Sequence, residues 1–504
     1  MEFSNTTIHR LFNKLKSKAC YSFNKNNFDN CLIYLKAASA TAYYFYLGFK
    51  DDTIETLLRT ISSKIIKKDF NETYIVNNCV FYDSFCLDNK GLTQQYIRAI
   101  INLGWNLLYI TDSKQNNVSG KDIINEITRY KKSKIIFIPE KLNGIKRSQF
   151  IYDSIIQFNP SKLFMHLSPS AVYAITAFYA LPKKIEKFQI NLTDHTFWIG
   201  QGCLDYSLEF RSYGFSLSVN ERQINQNNVF LLPYYPIENE SKFEGFPNDF
   251  SNKTIILSGG AYYKIIDDDN TFFKLMKIVL EISNDVVILF AGSGDSSLFE
   301  KFILENNYQD RVFLIGYRKD INELFKHSDI FLNTYPYIGG LMCQYAASNS
   351  IPILSLTTIG LSKAEEVVCQ KEYLKISCDN LECFKEEAFN LVVNKKYRID
   401  KGKMLKDCMI NEKDFNTYFY ETIIKRKNQI KISVFGKETL VKDNDIESKI
   451  QYEKKTNEFM FLILSYLKFK IIYINIWFLT DLFIILVKKR QIFKYIRKYT
   501  LSKI

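Results

Sequence analysis

The chain has no Cys-x-x-Cys pair. Its ten cysteines are scattered, and only four histidines (His9, His166, His195 and His327) could join them. No spacing among these matches a metal site or a disulfide framework, so no bound metal is expected and reduced thiols in a cytoplasmic setting are the simplest reading. No apolar core follows the first charges of MEFSNTTIHRLFNK, so no secretory signal is expected there. No uncharged apolar run reaches the ~18 residues of a membrane-spanning helix. Nucleic-acid modules are lacking too, and the net charge of +13 is spread along the chain. That charge favours phosphate-bearing substrates and acidic membrane surfaces, and nucleic acid is not an expected partner. What is present is globular: 47% apolar and 15% aromatic residues are too many for disorder, and 504 residues suit two cores plus appendages.

Hydrophobic periodicity divides the chain into four parts. Over 1–70, Phe28, Cys31, Leu32, Leu35, Ile54, Leu57, Leu58 and Ile61 recur at helical spacing. This predicts either a helical hairpin of tetratricopeptide-like character or a packing cap on the next domain. Over 74–235, strands are predicted at 74–82, 106–111, 134–139, 162–167, 187–192, 205–210 and 228–232, with helices between them. That alternation implies a parallel sheet covered on both faces. A polar stretch at 233–251, with Pro233, Pro236, Gly245 and Pro247, reads as a linker. A second β–α series fills 252–420, with strands predicted at 254–257, 286–290, 312–315, 330–332 and 353–356. The fold class is therefore α/β, and ligands of such sheets bind beyond the carboxyl ends of the strands. Over 457–504 the apolar runs 459–467 and 471–479 are split by Lys468 and Lys470. Lys488, Lys489, Arg490, Lys494, Arg497, Lys498 and Lys503 then interleave with apolar and aromatic residues. This predicts a basic amphipathic tail that lies in an anionic headgroup layer or packs on protein.

Four loops of the second series carry the chemistry. Ser258, Gly259, Gly260 and Lys264 follow its first strand, where glycine amides and one ammonium suit a phosphate. An ordinary turn with a solvated lysine is the plain alternative. Gly292 and Gly294 close the next strand without the full dinucleotide fingerprint. Gly316, Tyr317 and Arg318 close the third. Thr334, Tyr335, Pro336, Tyr337, Gly339 and Gly340 then form a loop ahead of a helix that begins near Leu341. A glycine pair at a helix N-terminus offers free amides and a favourable dipole to an anion.

In this order the loops resemble the donor half of GT-B glycosyltransferases. The run 258–352 is similar to the family of O-linked N-acetylglucosamine transferases and bacterial adhesin asparagine glucosyltransferases. Lys264, the Tyr335-Pro336-Tyr337 stretch, Gly339 and Pro352 occupy that family's lysine, tyrosine-proline, glycine and proline places. The chain departs from it with Gly340-Leu341-Met342, where many members carry polar residues, so backbone amides would have to serve the phosphate. The resemblance covers about 75–420. It implies two Rossmann-like domains facing a cleft, a nucleotide-sugar (UDP) donor as substrate, no cofactor and no metal. It also implies that the loop bearing Tyr317 and Arg318 lies against the nucleotide base. Asp267-Asp268-Asp269 reads as acids favoured near a helix start rather than as metal ligands. In the neighbouring retaining family a second motif glutamate would fall near Tyr345, so inversion is the expected course.

Inverting transfer to a hydroxyl calls for a general base on the acceptor side. His195 leaves a predicted strand with Asp194 beside it to orient it. Neighbours on an extended chain point opposite ways, which keeps Asp205, Glu209 and Arg211 open as partners. His166, also at a strand's end, is the second choice, and for either histidine a purely structural role is the plain alternative. Asp88, Lys90 and Gly91 resemble the acceptor loop of GT-B amino-terminal domains. The expected acceptor is a surface glycan or glycolipid at the inner membrane face, with a protein acceptor as the alternative. A catalytically silent partner subunit and a UDP-N-acetylglucosamine 2-epimerase share this architecture. The epimerase needs several acids and histidines around the sugar, and the second half holds only His327.

Overall fold

A computed structural model describes residues 5–68, 74–89, 92–238, 241–357, 363–372, 374–428, 459 and 462–467. Two all-parallel sheets organise it. The first runs β1 (Ile75–Asp83), β2 (Asn106–Thr111), β3 (Ser133–Phe137), β4 (Pro160–His166), β5 (Glu186–Asn191), β6 (Tyr206–Glu209) and β7 (Val229–Leu231) in chain order. Their spatial order is β3-β2-β1-β4-β5-β6-β7. The second contains β8 (Thr254–Ala261), β9 (Val286–Ser293), β10 (Val312–Leu314), β11 (Ile330–Leu332), β12 (Ile353–Leu356) and β13 (Ser377–Cys378), ordered β10-β9-β8-β11-β12-β13. Each sheet reverses its winding once, between β1 and β4 and between β8 and β11, and such switch points open crevices at the carboxyl ends of the strands.

The strands are apolar because both faces are covered. In β1, Val80 and Tyr82 face one helical layer while Cys79 and Phe81 face the other. The first layer includes the amino-terminal segment, which forms three helices rather than one hairpin: α1 (Asn5–Asn24), α2 (Phe28–Tyr44) and α3 (Asp52–Ile65). Asn27 and Asp51 start α2 and α3 by accepting the amides of Asn30 and Ile54. All three helices share one core with the helices Gly144–Phe158 and Val172–Ala180, so the segment is a packing cap on the first lobe. The buried Glu55 of α3 fastens it, accepting the amides of Gly200 (2.6 Å) and Gly202 (3.4 Å) and the hydroxyl of Tyr179.

Two segments return to this first lobe from the far end of the chain. The helix Glu412–Ile423 begins with a capping box of Asn411 and Asp414. Its Phe415, Phe419 and Ile423 join the core with Phe81, Tyr96 and Phe164, so the last helix of the span 252–420 packs on the first lobe. Phe459, Ile463, Leu464 and Leu467 enter the cap's core, with Phe459 edge-on to Phe45 at 4.7 Å. This part of the tail packs on protein, and the basic residues 488–503 lie outside the described residues. Among the described residues no helix is long and apolar enough to cross a membrane.

Candidate functional site

The second lobe's switch point brings the loops after β8 and β11 together. β8 and β9 stay paired through Gly259, Gly260 and Gly292. A Cβ on Gly259 would stand 2.4 Å from the Ala291 carbonyl oxygen and 3.0 Å from the Met342 side chain, so only glycine lets the helix start approach the strand. Beyond the strand, the one-turn segment Tyr262–Ile265 carries Lys264. Its ammonium donates to the Ile338 carbonyl (3.1 Å), and its own carbonyl accepts from Tyr337 (3.4 Å). Lys264 and the Gly339–Gly340 bend therefore face the same crevice.

The bend is built by residues on both sides of it. Asn333, buried at the end of β11, accepts the Gly339 amide (2.9 Å) and donates to Ser355 on β12 (3.1 Å). Sequence reasoning missed Asn333; a polar residue directly after the apolar strand was the available signal. Thr334 donates to the Tyr337 carbonyl (2.5 Å) and Tyr335 packs on the lobe's core, so both shape the turn. The Gly339 amide is likewise engaged by Asn333. The amides of Gly340, Leu341 and Met342 open the helix Gly340–Ser348, which has no side-chain cap. They are the donors this helix end presents to an anion. Ser258 is buried in β8, and its hydroxyl has no hydrogen-bond partner among the described residues.

The loops after β9 and β10 meet through Gly292, whose amide donates to Gly316 (2.9 Å). Gly294 takes a left-handed backbone (φ 126) against Tyr262. Tyr317 is 63% exposed at this rim. Arg318 corrects the expectation that it faces a base: it clasps Asp320 with two bonds (2.7 and 2.6 Å) and donates to the Gly245 carbonyl (2.9 Å), locking the linker down. Asp267 bonds the amide and hydroxyl of Thr271 at the start of the helix Thr271–Ile282. Among the described residues no cluster of three His, Cys, Asp or Glu side chains is arranged to hold a metal ion.

On the first lobe the two histidines part company. His166 is fully buried at the end of β4, and its Nδ1 lies 3.1 Å from Asp83 at the end of β1 and 3.1 Å from the Thr93 hydroxyl. Asp83 also accepts from Tyr109 and Thr93, each at 2.8 Å. Burial works against this carboxylate's charge, but the His166 pairing and these bonds hold it below its ordinary range. The pair clamps β1 to β4 across the switch point. Enclosure by the Phe81 and Phe85 rings keeps His166 from an acceptor hydroxyl, which corrects its candidacy as a base.

His195 is the accessible one, its side chain 30% exposed. Its Nδ1 lies 3.3 Å from Asp194. Asp194 is principally the partner of Arg211, which donates to it at 2.6 and 2.9 Å. Full burial opposes the Asp194 charge, and the Arg211 guanidinium overrides that and holds the carboxyl well below its usual range. Arg222, also buried, donates to the carbonyls of Asp194 and Thr196 (2.7 Å each) and fixes the loop. Asp205 and Glu209 serve elsewhere: Asp205 accepts the Lys187 amide, and Glu209 accepts from Asn191, Ser207 and Ser218. From the other lobe, Glu366 accepts the Tyr213 amide (3.2 Å) beside this cluster, a contact no sequence signal marked. Asp88 corrects the acceptor-loop expectation: it caps the helix Lys121–Arg129 through the amides of Asp122 and Ile123, each at 2.9 Å. Lys90 and Gly91 lie outside the described residues.

No family profile and no curated protein matches the sequence. Solved structures do match. TarM of S. aureus superposes with a TM-score of 0.50 at 10% identity, over 70% of this chain and 99% of its own. A mutant O-GlcNAc transferase of Thermobaculum terrenum gives 0.48 at 11%, over 77% and 75%. A UDP-N-acetylglucosamine 2-epimerase of Listeria monocytogenes gives 0.48 at 11%, over 72% and 100%. At 10% identity the likeness to TarM shows the fold alone, two Rossmann-like lobes of the GT-B kind.

Proposed function

We propose that the chain is a glycosyltransferase that moves a sugar from a nucleotide-sugar, with UDP as the carrier, to a hydroxyl of a glycan or glycolipid. The observation that carries this reading is the meeting of Lys264 with the Ile338–Gly340 bend at the second lobe's switch point. A sugar leaving its nucleotide puts growing negative charge on the diphosphate. One ammonium and the amides of Gly340, Leu341 and Met342 would stabilise that charge without a metal. The Ile338 carbonyl holds the lysine at the crevice until a phosphate oxygen replaces it. On the acceptor side, His195 would take the hydroxyl proton as the new glycosidic bond forms and the bond to the diphosphate breaks, with inversion at the sugar carbon. Asp194 positions the imidazole from its place on Arg211.

The tail's basic residues support an acceptor at an anionic membrane face, and the amino-terminal cap leaves a protein acceptor as the alternative. An epimerase is disfavoured because His327 lies stacked on Phe243 at 3.9 Å, bonded to the Glu323 carbonyl. A silent partner subunit is the second reading, favoured by the apolar Leu341 and Met342 and by Arg318 and Thr334 being bonded within the protein. The test is UDP binding and the turnover of a panel of nucleotide-sugars. Lys264→Ala is expected to lower turnover roughly 100-fold or more while the fold persists. A protein that neither binds UDP nor consumes any nucleotide-sugar would be the silent partner.

A further inference from the structure

A cavity of about 510 Å3 lies at the carboxyl ends of β1, β2 and β4, where α2 and the described tail residues close over them. One cation in its wall lies against aromatic faces. The ammonium of Lys36 is 4.2 Å from the ring centre of Tyr466 and 5.4 Å from that of Tyr173. Among the described residues no carboxylate stands within ion-pair distance of it and no acceptor bonds it. Burial lowers its pKa to about 8, with Asp112 opposing that shift and Arg147 adding to it.

The acids nearby are already engaged. Asp112 accepts from Arg147 (2.5 Å), the Tyr82 hydroxyl (2.9 Å) and Ser84 (3.3 Å). Asp29 accepts the Ile145 amide (2.8 Å). The helix Val172–Ala180 begins at the cavity wall without a side-chain cap, and its N-terminal end adds positive potential, whereas Asp29 caps the first turn of the helix Gly144–Phe158. The serine hydroxyls of Ser168 and Ser170 complete a lining of cation, hydroxyl and aromatic face. The cation and the uncapped helix end call for an anion, while tyrosine rings beside hydroxyls suit a sugar ring.

We propose that this cavity binds an anionic saccharide, a sugar bearing a phosphate or a carboxylate, with its charge on Lys36 and its ring against Tyr173 and Tyr466. The proposal rests on the transferase reading in assigning that saccharide to the acceptor, since the cavity belongs to the lobe opposite the donor loops.

Calorimetric titrations of the full chain, with UDP present to occupy the donor loops, test it. Glucose 1-phosphate and glucuronate distinguish the two anion sources, and glucose and inorganic phosphate serve as controls. At least one acidic sugar is expected to bind ten times more tightly than either control. Lys36→Met should weaken that binding tenfold or more, Lys36→Arg should keep most of it, and neither should change UDP affinity. Lys36→Gln replaces Lys36→Met should the latter fail to fold. Equal binding by wild type and the uncharged variant, or glucose bound as tightly as both acidic sugars, or no acidic sugar bound at millimolar concentration, would overturn the proposal. Failure to bind UDP would instead count against the transferase reading, so the two failures are distinguishable.

Discussion

The Asp194 carboxylate is held by Arg211 through two short bonds and also lies 3.3 Å from His195 Nδ1. The consequence for stability has a definite sign. Its folded-state pKa lies below the unfolded value of about 3.9, so its contribution is complete above that pH and is lost as pH falls through the lower folded value. Asp194→Asn is therefore expected to cost about 3 kcal/mol at pH 7 in urea unfolding, because Arg211 is left buried without its carboxylate. The difference from wild type should shrink steadily below pH 4; a difference that stays constant from pH 7 to pH 3 would contradict this account. The pairing of Asp194 with Arg211 was not legible in the sequence, where Arg211 stood only as one of three alternative partners for His195. Gly259 reads in the sequence as a residue after a strand that lets a phosphate approach; it lies instead inside β8, where a Cβ would stand 2.4 Å from the Ala291 carbonyl oxygen, a crowding set by the strand pairing rather than by the local sequence. Asp83 was not legible as the partner of His166. The carboxylate that neutralises a buried group is chosen by which strands become neighbours, and β1 meets β4 only through the sheet's reversal.

At the scale of elements, the strands were easy to read because parallel strands buried on both faces are short apolar runs between turn signals. The two-residue β13 escaped notice because Ser377 and Cys378 form too short a run to carry any period. The helix Glu412–Ile423 shows the opposite limit. Phe415, Phe419 and Ile423 recur every four residues, which announces a buried face, but the pattern does not say which lobe covers it. The tail is similar. Its basic residues suggested a membrane surface with packing on protein as the alternative, and the described part packs, with Phe459 fully buried against Tyr44 and Phe45. Phe459→Ala should lower unfolding stability by about 3 kcal/mol through transfer and cavity costs. Denaturant titration would show this, and a change within 0.5 kcal/mol would mean that the segment is not docked in solution.

Over the whole molecule, the helix Gly340–Ser348 joins the donor crevice to the hinge. Its first turn offers amides beside Gly259, and four residues later it grips the linker. Gln344 donates to the Tyr234 carbonyl (2.9 Å) and to Val367 (3.1 Å), and the Tyr345 hydroxyl donates to Ile237 (2.8 Å). Gln95 of the first lobe holds the adjoining Tyr235 carbonyl at 2.6 Å. Gln344 and Tyr345 thus tether this helix to the linker between the lobes. Tyr345→Phe removes one donor and strands a buried carbonyl, which costs about 1–2 kcal/mol. Because that carbonyl belongs to the linker, the loss should also widen the range of lobe positions. Small-angle scattering is expected to show a larger radius of gyration for Tyr345→Phe without UDP and a return towards the wild-type value with it, since a ligand gripped by the closed form favours that form. If the variant loses stability while its dimensions stay those of the wild type, Tyr345 only stabilises the second lobe, and the coupling of hinge to donor crevice must run through Gln344 alone.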